Sequence, residues 1–124
     1  MSSGASVRAT AEAESSVYAR LVAAVTPVVS VCEPAIYGGD AEAYCTYNAT
    51  EMPEGFGDDA PHALRYLLQL HYFCPLAGNP LSTVRQLRQA VFDAGFTYPT
   101  MEDASDQDGR HYVLEFEEVG GVNG

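Results

Sequence analysis

The chain has 124 residues, a hydrophobic content of 47% and a formal net charge of -11 at pH 7. This length suits one domain with its own core, and the hydrophobic content excludes a disordered chain. The charge excludes a reader of DNA sequence, because duplex DNA is bound by basic patches. No apolar run reaches the roughly 20 residues of a membrane span, and the polar start lacks the regions of a signal peptide. We therefore expect no membrane contact and a protein made and kept in a cytoplasm, or packed into a particle assembled there.

The first predicted element is a helix over residues 10–25, preceded by a flexible tail at 1–9. Val17, Leu21 and Val25 recur at helical spacing and form one apolar face. Pro27 ends the helix, because the residue before a proline avoids the α conformation. We expect a single domain over residues 10–119 and a flexible end at 120–124.

Short β-branched segments follow this helix. Residues 28–32 are either a strand or a buried connection, broken by Glu33 and Pro34, and residues 35–37 are a possible second strand. The run 44–49 is rich in aromatic and β-branched residues and predicts a longer strand. Residues 50–61 predict a loop that is longer than an ordinary hairpin turn.

A long strand is predicted over residues 63–73. Alternation places Leu68, Leu70 and Tyr72 on one face and His71 and Phe73 on the other. One face is expected to be core and the other to be mixed, as in a sheet that helices or a partner cover on one side.

A helix, an acidic turn and a final strand complete the pattern. The helix covers 80–94, with Asn79 as its cap and Gly95 as a left-handed stop. Residues 96–98 predict the start of a strand, 102–109 an acidic turn and 110–119 the last strand. This order predicts an α+β fold, a mainly antiparallel sheet with two helices packed on one face.

Candidate chemical sites are incomplete in the sequence. His62, His71 and Cys74 lie near one another but lack a further zinc ligand, and the acidic run 104–109 has Ala104 where a calcium loop needs an acid. Cys45 and His71 could form a nucleophile pair, but two strand residues that simply pack are the better interpretation. We expect no catalytic residue, no metal and no cofactor. The three cysteines lack a CxxC spacing, and we expect them to be reduced and mostly buried thiols.

Tyrosine is unusually frequent on the predicted strands. Five of the eight tyrosines fall there, namely Tyr44, Tyr47, Tyr66, Tyr72 and Tyr112. Tyrosine is amphipathic and enriched at protein interfaces. Either these side chains straddle core and water, or an edge or face of the sheet docks on a neighbour.

Five short motifs together resemble the tail terminator, or tail completion, proteins of long-tailed bacteriophages. They are VYARL at 17–21, YCTYN at 44–48, RYLLQLHY at 65–72, the helix 83–94 with the following Gly95-Phe96, and YVLEF at 112–116. The resemblance extends over about residues 16–119.

The resemblance implies a structural protein of the virion, not an enzyme, assembled in the host cytoplasm. It implies a homo-oligomeric ring, expected to be a hexamer, that ends growth of the tail tube and joins the tail to the head. Its implied partners are the tail tube protein and the head–tail connector protein, and DNA passes through without specific binding. Another phage neck or minor tail protein, or a small host α+β ligand-binding domain, is the alternative.

Two sets of site residues follow. Ring contacts in this family use the strand-to-strand loop and the sheet edges, which gives Met52, Phe56, Tyr44 and Tyr47 as inter-subunit contacts. Met52 and Phe56 are costly to leave in water on a solvated loop. We expect acidic side chains to face the lumen, where they prevent adhesion of DNA: Glu51, Glu54, Asp58 and Asp59, and less strongly Glu102, Asp103, Asp106 and Asp108.

Overall fold

The chain was examined as a computed structural model, which describes residues 16–54, 63–76 and 79–118, with backbone only for 52–54 and 63–65. Within these ranges the fold has two helices and a sheet of five strands. The elements in chain order are α1 (16–25), β1 (Cys32–Pro34), β2 (Tyr44–Glu54), β3 (Ala63–Cys74), α2 (Pro80–Asp93), β4 (Thr100–Asp103) and β5 (Arg110–Glu117).

The strands lie in the order β1-β2-β3-β5-β4. Strand β1 runs parallel to β2, and the other neighbours are antiparallel. The pairing of β2 with β3 extends without interruption from Tyr44 opposite Phe73 to Glu54 opposite Ala63. The predicted α+β class with a mainly antiparallel sheet is confirmed.

Both helices pack on the same face of this sheet. Val17, Leu21 and Val25 of α1 share one buried cluster with residues of α2 and of the central strands. The other members of that cluster from α2, β3 and β5 are Val84, Leu87, Val91, Leu68, Leu70, Tyr72, Tyr112, Leu114 and Phe116. Because side chains alternate along a strand, the residues between these point to the opposite face, on which neither helix of the described ranges lies. We call this second side the open face.

The first short strand lies later than predicted. Residues 28–31 form a connection with Val29 buried, and the strand follows at Cys32–Pro34. Glu33 and Pro34 therefore do not break the strand. Proline is tolerated there because β1 is an edge strand, where one side needs no ladder hydrogen bond. No strand forms at 35–37, since Ala35 has a positive φ of 62° that turns the chain.

The predicted loop 50–61 is shorter in the structure. Residues 50–54 continue β2 and pair with 63–67 of β3. The pairing passes through Pro53, which is possible because β1 covers β2 only as far as Tyr47, so the outer side of β2 is an edge beyond that point. The remaining part, residues 55–62, lies outside the described residues, as do the predicted tails.

The C-terminal half follows the prediction more closely. Helix α2 begins at Pro80 and is followed by Gly95 with φ 100°, so the left-handed stop is confirmed. Phe96 makes an isolated bridge to Glu118, and the strand starts only at Thr100. Glu102 and Asp103 belong to that strand, so the acidic turn is confined to residues 104–109.

Candidate functional site

A continuous row of aromatic rings crosses the open face. Tyr44 of β2 stacks on Phe73 of β3 with centroids 4.9 Å apart, and Phe73 stacks on His111 of β5 at 4.2 Å. Tyr37 extends the row on one side, at 4.7 Å from Tyr44, and His71 lies 5.1 Å from His111 on the other. These five residues are the aromatic row. All five are partly exposed. Because the stacked rings turn their faces toward one another, the row presents mainly ring edges to solvent.

Tyr37 reaches this row because the segment before β2 folds back on itself. The Ala41 amide donates a hydrogen bond of 3.0 Å to the Tyr37 hydroxyl. The tip of the Tyr37 ring lies so close to Gly39 that a β-carbon at that position would overlap it. A glycine is therefore required at this point for Tyr37 to lie against Tyr44.

A directional chain of hydrogen bonds runs beside the aromatic row. The Gln69 amide nitrogen donates to Glu115 Oε1 over 2.9 Å, because an ionised carboxylate only accepts. The Gln69 oxygen therefore faces His71, whose Nε2 donates to it over 3.2 Å. His71 Nδ1 then accepts from His111 Nε2 over 2.8 Å. This assigns the Nε2–H tautomer to both neutral imidazoles.

Burial lowers the pKa of His71, and the neighbouring His111 lowers it further. Burial also lowers the pKa of His111, although Asp106 acts in the opposite direction. Because both shifts go below the ordinary value near 6.5, both rings are neutral at neutral pH. The open face thus carries no histidine charge under these conditions.

An acidic depression of about 460 Å³ lies against the middle of the row. Its aromatic wall is formed by Tyr44, Phe73 and His111, and its acidic lining residues are Glu42, Asp106 and Asp108. Arg110 is also at its margin, where its Nε donates to the Leu76 carbonyl oxygen over 3.0 Å. The depression combines aromatic rings with carboxylates, and the carboxylates attract a cation that can donate hydrogen bonds to them.

Charge is distributed unequally between the two sides of the sheet. The strand register places Glu102, Glu115 and Glu117 on the open face. They add to the acids of the depression. The other arginine side chains that the structure describes, Arg20, Arg85 and Arg88, belong to the two helices. Apart from Arg110 at the margin of the depression, the described arginine side chains therefore lie in the helical layer, and the charged residues of the open face are mainly acids.

One flank of α2, about 100° around the helix from its buried side, carries an exposed stripe. Leu81, Arg85, Arg88 and Phe92 are spaced by four, three and four residues and so lie on one side of the helix. Leu81 is 52% exposed and Phe92 is 49% exposed. Arg88 is held by its bond to the Pro99 carbonyl oxygen and lies over the Tyr98 ring, whereas Arg85 is fully on the surface. These four residues are the α2 stripe.

The predicted contact residues do not form one surface. Tyr44 belongs to the aromatic row, but Tyr47 points to the helical side, where its ring lies 5.5 Å from that of Tyr18. Burial raises the pKa of Tyr47, in keeping with that position. Met52 is part of β2 opposite Arg65, with no side chain described, and Phe56 lies outside the described residues.

The predicted lumen residues that the structure describes fall into two groups. Glu51 is exposed on β2 and Glu54 ends that strand, whereas Asp58 and Asp59 lie outside the described residues. Glu102, Asp103, Asp106 and Asp108 are exposed in β4 and in the turn 104–109. By register Glu51 is level with Tyr66 of β3 and Asp103 with Tyr72, six residues or about 20 Å along the strand at about 3.3 Å per residue.

The suggested pairing of Cys45 with His71 is excluded by the register. Cys45 faces the core opposite Tyr72, whereas His71 points to the open face. The thiol of Cys45 has a raised pKa because it is buried, and burial and Glu33 raise the pKa of Cys32 to about 11. All three cysteines are free thiols, with Cys45 buried and Cys32 and Cys74 half-buried. The raised pKa values of Cys32 and Cys45 are the opposite of what an activated nucleophile needs.

The described ranges contain no group of three or more potential metal ligands. His62 lies outside them. His71 and Cys74 point to opposite faces of β3, so these two residues do not converge on one zinc ion. In the same ranges, neither helix is long and apolar enough to cross a membrane.

No protein-family model matches the chain, and no curated protein sequence is similar to it. Its function is therefore inferred from its own residues and their geometry. The most informative of these, Phe73 and His111, were not among the site residues predicted from sequence. The alternation in 63–73 already placed Phe73 beside His71, but the pairing of β5 with β3 was needed to bring His111 to them.

Proposed function

We propose that the protein is a structural assembly subunit that forms a ring at the end of a bacteriophage tail tube. In this role it ends tube growth and joins the tail to the head connector. The observation that supports this role best is the open face with its row of five adjoining rings, three of which stack on one another. Exposed contiguous ring surface on one side of a small domain is typical of protein interaction sites.

The size of the domain suits such a role. Its described surface is 7585 Å², and a standard interface buries about 800 Å² per partner. A ring subunit has two such interfaces with its neighbours, and the open face and the helical face are two large, chemically different sides on which they can form. Heterologous contacts between different sides are those that close into rings.

Further copies of this chain, the tail tube protein and the head–tail connector protein are the partners in this proposal, and the virion is its location. DNA passes without specific binding, because an acidic surface repels phosphate. Met52 and Phe56 remain proposed contacts near the strand-to-strand loop. The protein has no catalytic role and no cofactor in this proposal.

One observation favours a different class of function. The acidic depression has a volume within the range of small-molecule sites, and it combines ring surface with polar groups. A small host ligand-binding domain is therefore the second candidate. Another phage neck or minor tail protein is the third, since it would use the same open face for assembly.

The test is to add the purified protein to growing tail tubes of the same phage and to measure tube length by electron microscopy. Tubes capped at one end and arrested in growth are expected. Phe73→Asp, which places a charge in the aromatic row, is expected to abolish capping, whereas Ser30→Asp at an exposed position on the other side is not. Unchanged growth with the wild-type protein would contradict the proposal.

A further inference from the structure

We propose that the α2 stripe of one copy docks on the open face of the next, with Arg85 inserted into the acidic depression. This contact rests on the proposed function, since it specifies how the ring subunits join. The occupant is thus a second copy of this chain, and the chemical group recognised is a guanidinium.

Charge complementarity is the first argument. The charged side chains described on the open face are acids, apart from Arg110 at the margin of the depression, and Glu42, Asp106 and Asp108 lie together around that depression. The α2 stripe carries Arg85 in an exposed position, and no described acid pairs with it. Opposite charges on the two surfaces favour docking of one on the other and disfavour stacking of like faces.

The shape of the group is the second argument. Tyr44, Phe73 and His111 form a nearly parallel stack, with interplanar angles of 20° and 18°. The outer rings of this stack are flanked by Tyr37 and His71, so the depression offers ring edges beside its carboxylates. A guanidinium is planar and donates several hydrogen bonds to carboxylates in its own plane, which suits a site with three acids around it. The chain contains no lysine. Apart from histidine, arginine is therefore the only cationic side chain that a second copy can offer.

The apolar flanks of the stripe are the third argument. Leu81 and Phe92, on either side of Arg85, are about half exposed and have no role in the core of the single chain. The aromatic row offers apolar ring surface beside the depression. The stripe and the open face therefore match in both of their components, a central charge and apolar neighbours.

The contact is head-to-tail, because the two surfaces lie on opposite sides of the sheet. A contact of this kind leaves one free stripe and one free face after each addition, so it excludes a two-fold dimer. It produces a ring, as the proposed function requires, when the rotation between successive copies closes, and a filament when it does not.

The experiment is a charge exchange followed by sedimentation velocity. Arg85→Glu reverses the stripe, and Glu42→Arg with Asp108→Arg reverses the depression. Asp106 is kept, because its carboxylate accepts a hydrogen bond of 2.8 Å from the Asp108 amide and holds the turn. Each reversed protein is expected to lose the wild-type oligomer, with a dissociation constant raised at least about tenfold, or about 1.4 kcal/mol.

Two combinations are expected to restore the oligomer. One is the single chain that carries both reversals, in which stripe and depression match again. The other is an equimolar mixture of the two reversed proteins, in which each contact joins unlike copies. The mixture can then form only rings with even numbers of subunits, which native mass spectrometry detects.

The matched control is Gln86→Glu, which adds the same charge next to the stripe on an exposed position and is expected to leave assembly unchanged. Assembly of Arg85→Glu at wild-type strength, or no rescue by the combinations, would overturn this contact while leaving the proposed function standing. A wild-type chain that stays monomeric would also overturn it, and capping of tail tubes would then decide the proposed function separately. Circular dichroism and thermal unfolding confirm that each variant is folded.

Discussion

His111 donates its Nε2 proton to Nδ1 of His71 across 2.8 Å on the open face. Gln69, itself oriented by Glu115, fixes the proton of His71 on the opposite nitrogen. One added proton can be taken up by Nδ1 of His111 without loss of this bond. A second proton would have to go to His71 Nδ1, which would turn an acceptor into a donor and break the pair.

The first prediction concerns pH. Both histidines have a lowered pKa in the folded chain, whereas the unfolded chain titrates near about 6.5. Between the two values the unfolded state binds more protons, so the free energy of unfolding rises with pH there. The contribution is fully present above about pH 6.5 and is lost as pH falls through the folded-state pKa values.

Urea unfolding between about pH 8 and about pH 5 measures this effect. His111→Asn removes one imidazole of the pair and is expected to reduce the slope of stability against pH. An equal slope in the variant and the wild type would show that the pair does not control it.

The second prediction separates core packing from surface packing with a pair of leucines. Leu70 is fully buried in the centre of β3, whereas Leu81 is 52% exposed on α2. Leu70→Ala is expected to cost about 3 kcal/mol of unfolding free energy, through lost burial and the cavity left behind. Leu81→Ala is expected to cost less than about 0.5 kcal/mol. Denaturant unfolding at a concentration where both proteins are monomeric measures the difference, and similar losses would contradict the packing described.

The third prediction concerns the end of α2. Gly95 has φ 100°, a conformation that is strained for any residue with a β-carbon, although nothing lies within 4 Å of that position. Gly95→Ala is therefore expected to destabilise the fold by about 1–2 kcal/mol for a backbone reason alone. Gly38→Ala, where the space is equally open and φ is not positive, is the control. Equal melting temperatures for the two variants would refute the assignment.

Periodicity was sufficient to predict the helices and long strands but not their partners. The apolar spacing in α2 and the alternation in β3 depend on local contacts with a single core, and both were predicted correctly. The extension of β2 to Glu54 was missed, because proline and acidic residues suggest a loop unless the pairing strand is known. Cys32–Pro34 was misplaced for the same reason, since its strand character comes from the neighbouring β2.

The candidate site was less predictable than the fold. His71 and Phe73 could be assigned to one face, but His111 is 38 positions beyond Phe73 and reaches it only through the β3–β5 register. Tyr47 was grouped with Tyr44 because both are strand tyrosines. Side chains alternate between the two faces of a strand, so two residues that are three positions apart point to opposite faces. This difference between Tyr44 and Tyr47 could have been predicted from the sequence.

The last prediction concerns the acids proposed to face the lumen. Among the described acids, Glu51 is level with Tyr66 of β3 and Asp103 is level with Tyr72, six residues or about 20 Å along the strand. Both can line one channel only if the strands run roughly along its axis. Asp58→Lys with Asp59→Lys is expected to slow passage of DNA and lower infectivity, because added positive charges attract phosphate. The fold is expected to survive, since charges on a loop contribute at most about 1 kcal/mol. Asp40→Lys, at an exposed position next to the start of β2, is the control for charge alone. Particles with the reversed loop that eject DNA at the wild-type rate would remove Asp58 and Asp59 from the channel, and the same exchange at Asp108 would then test the other end of the sheet.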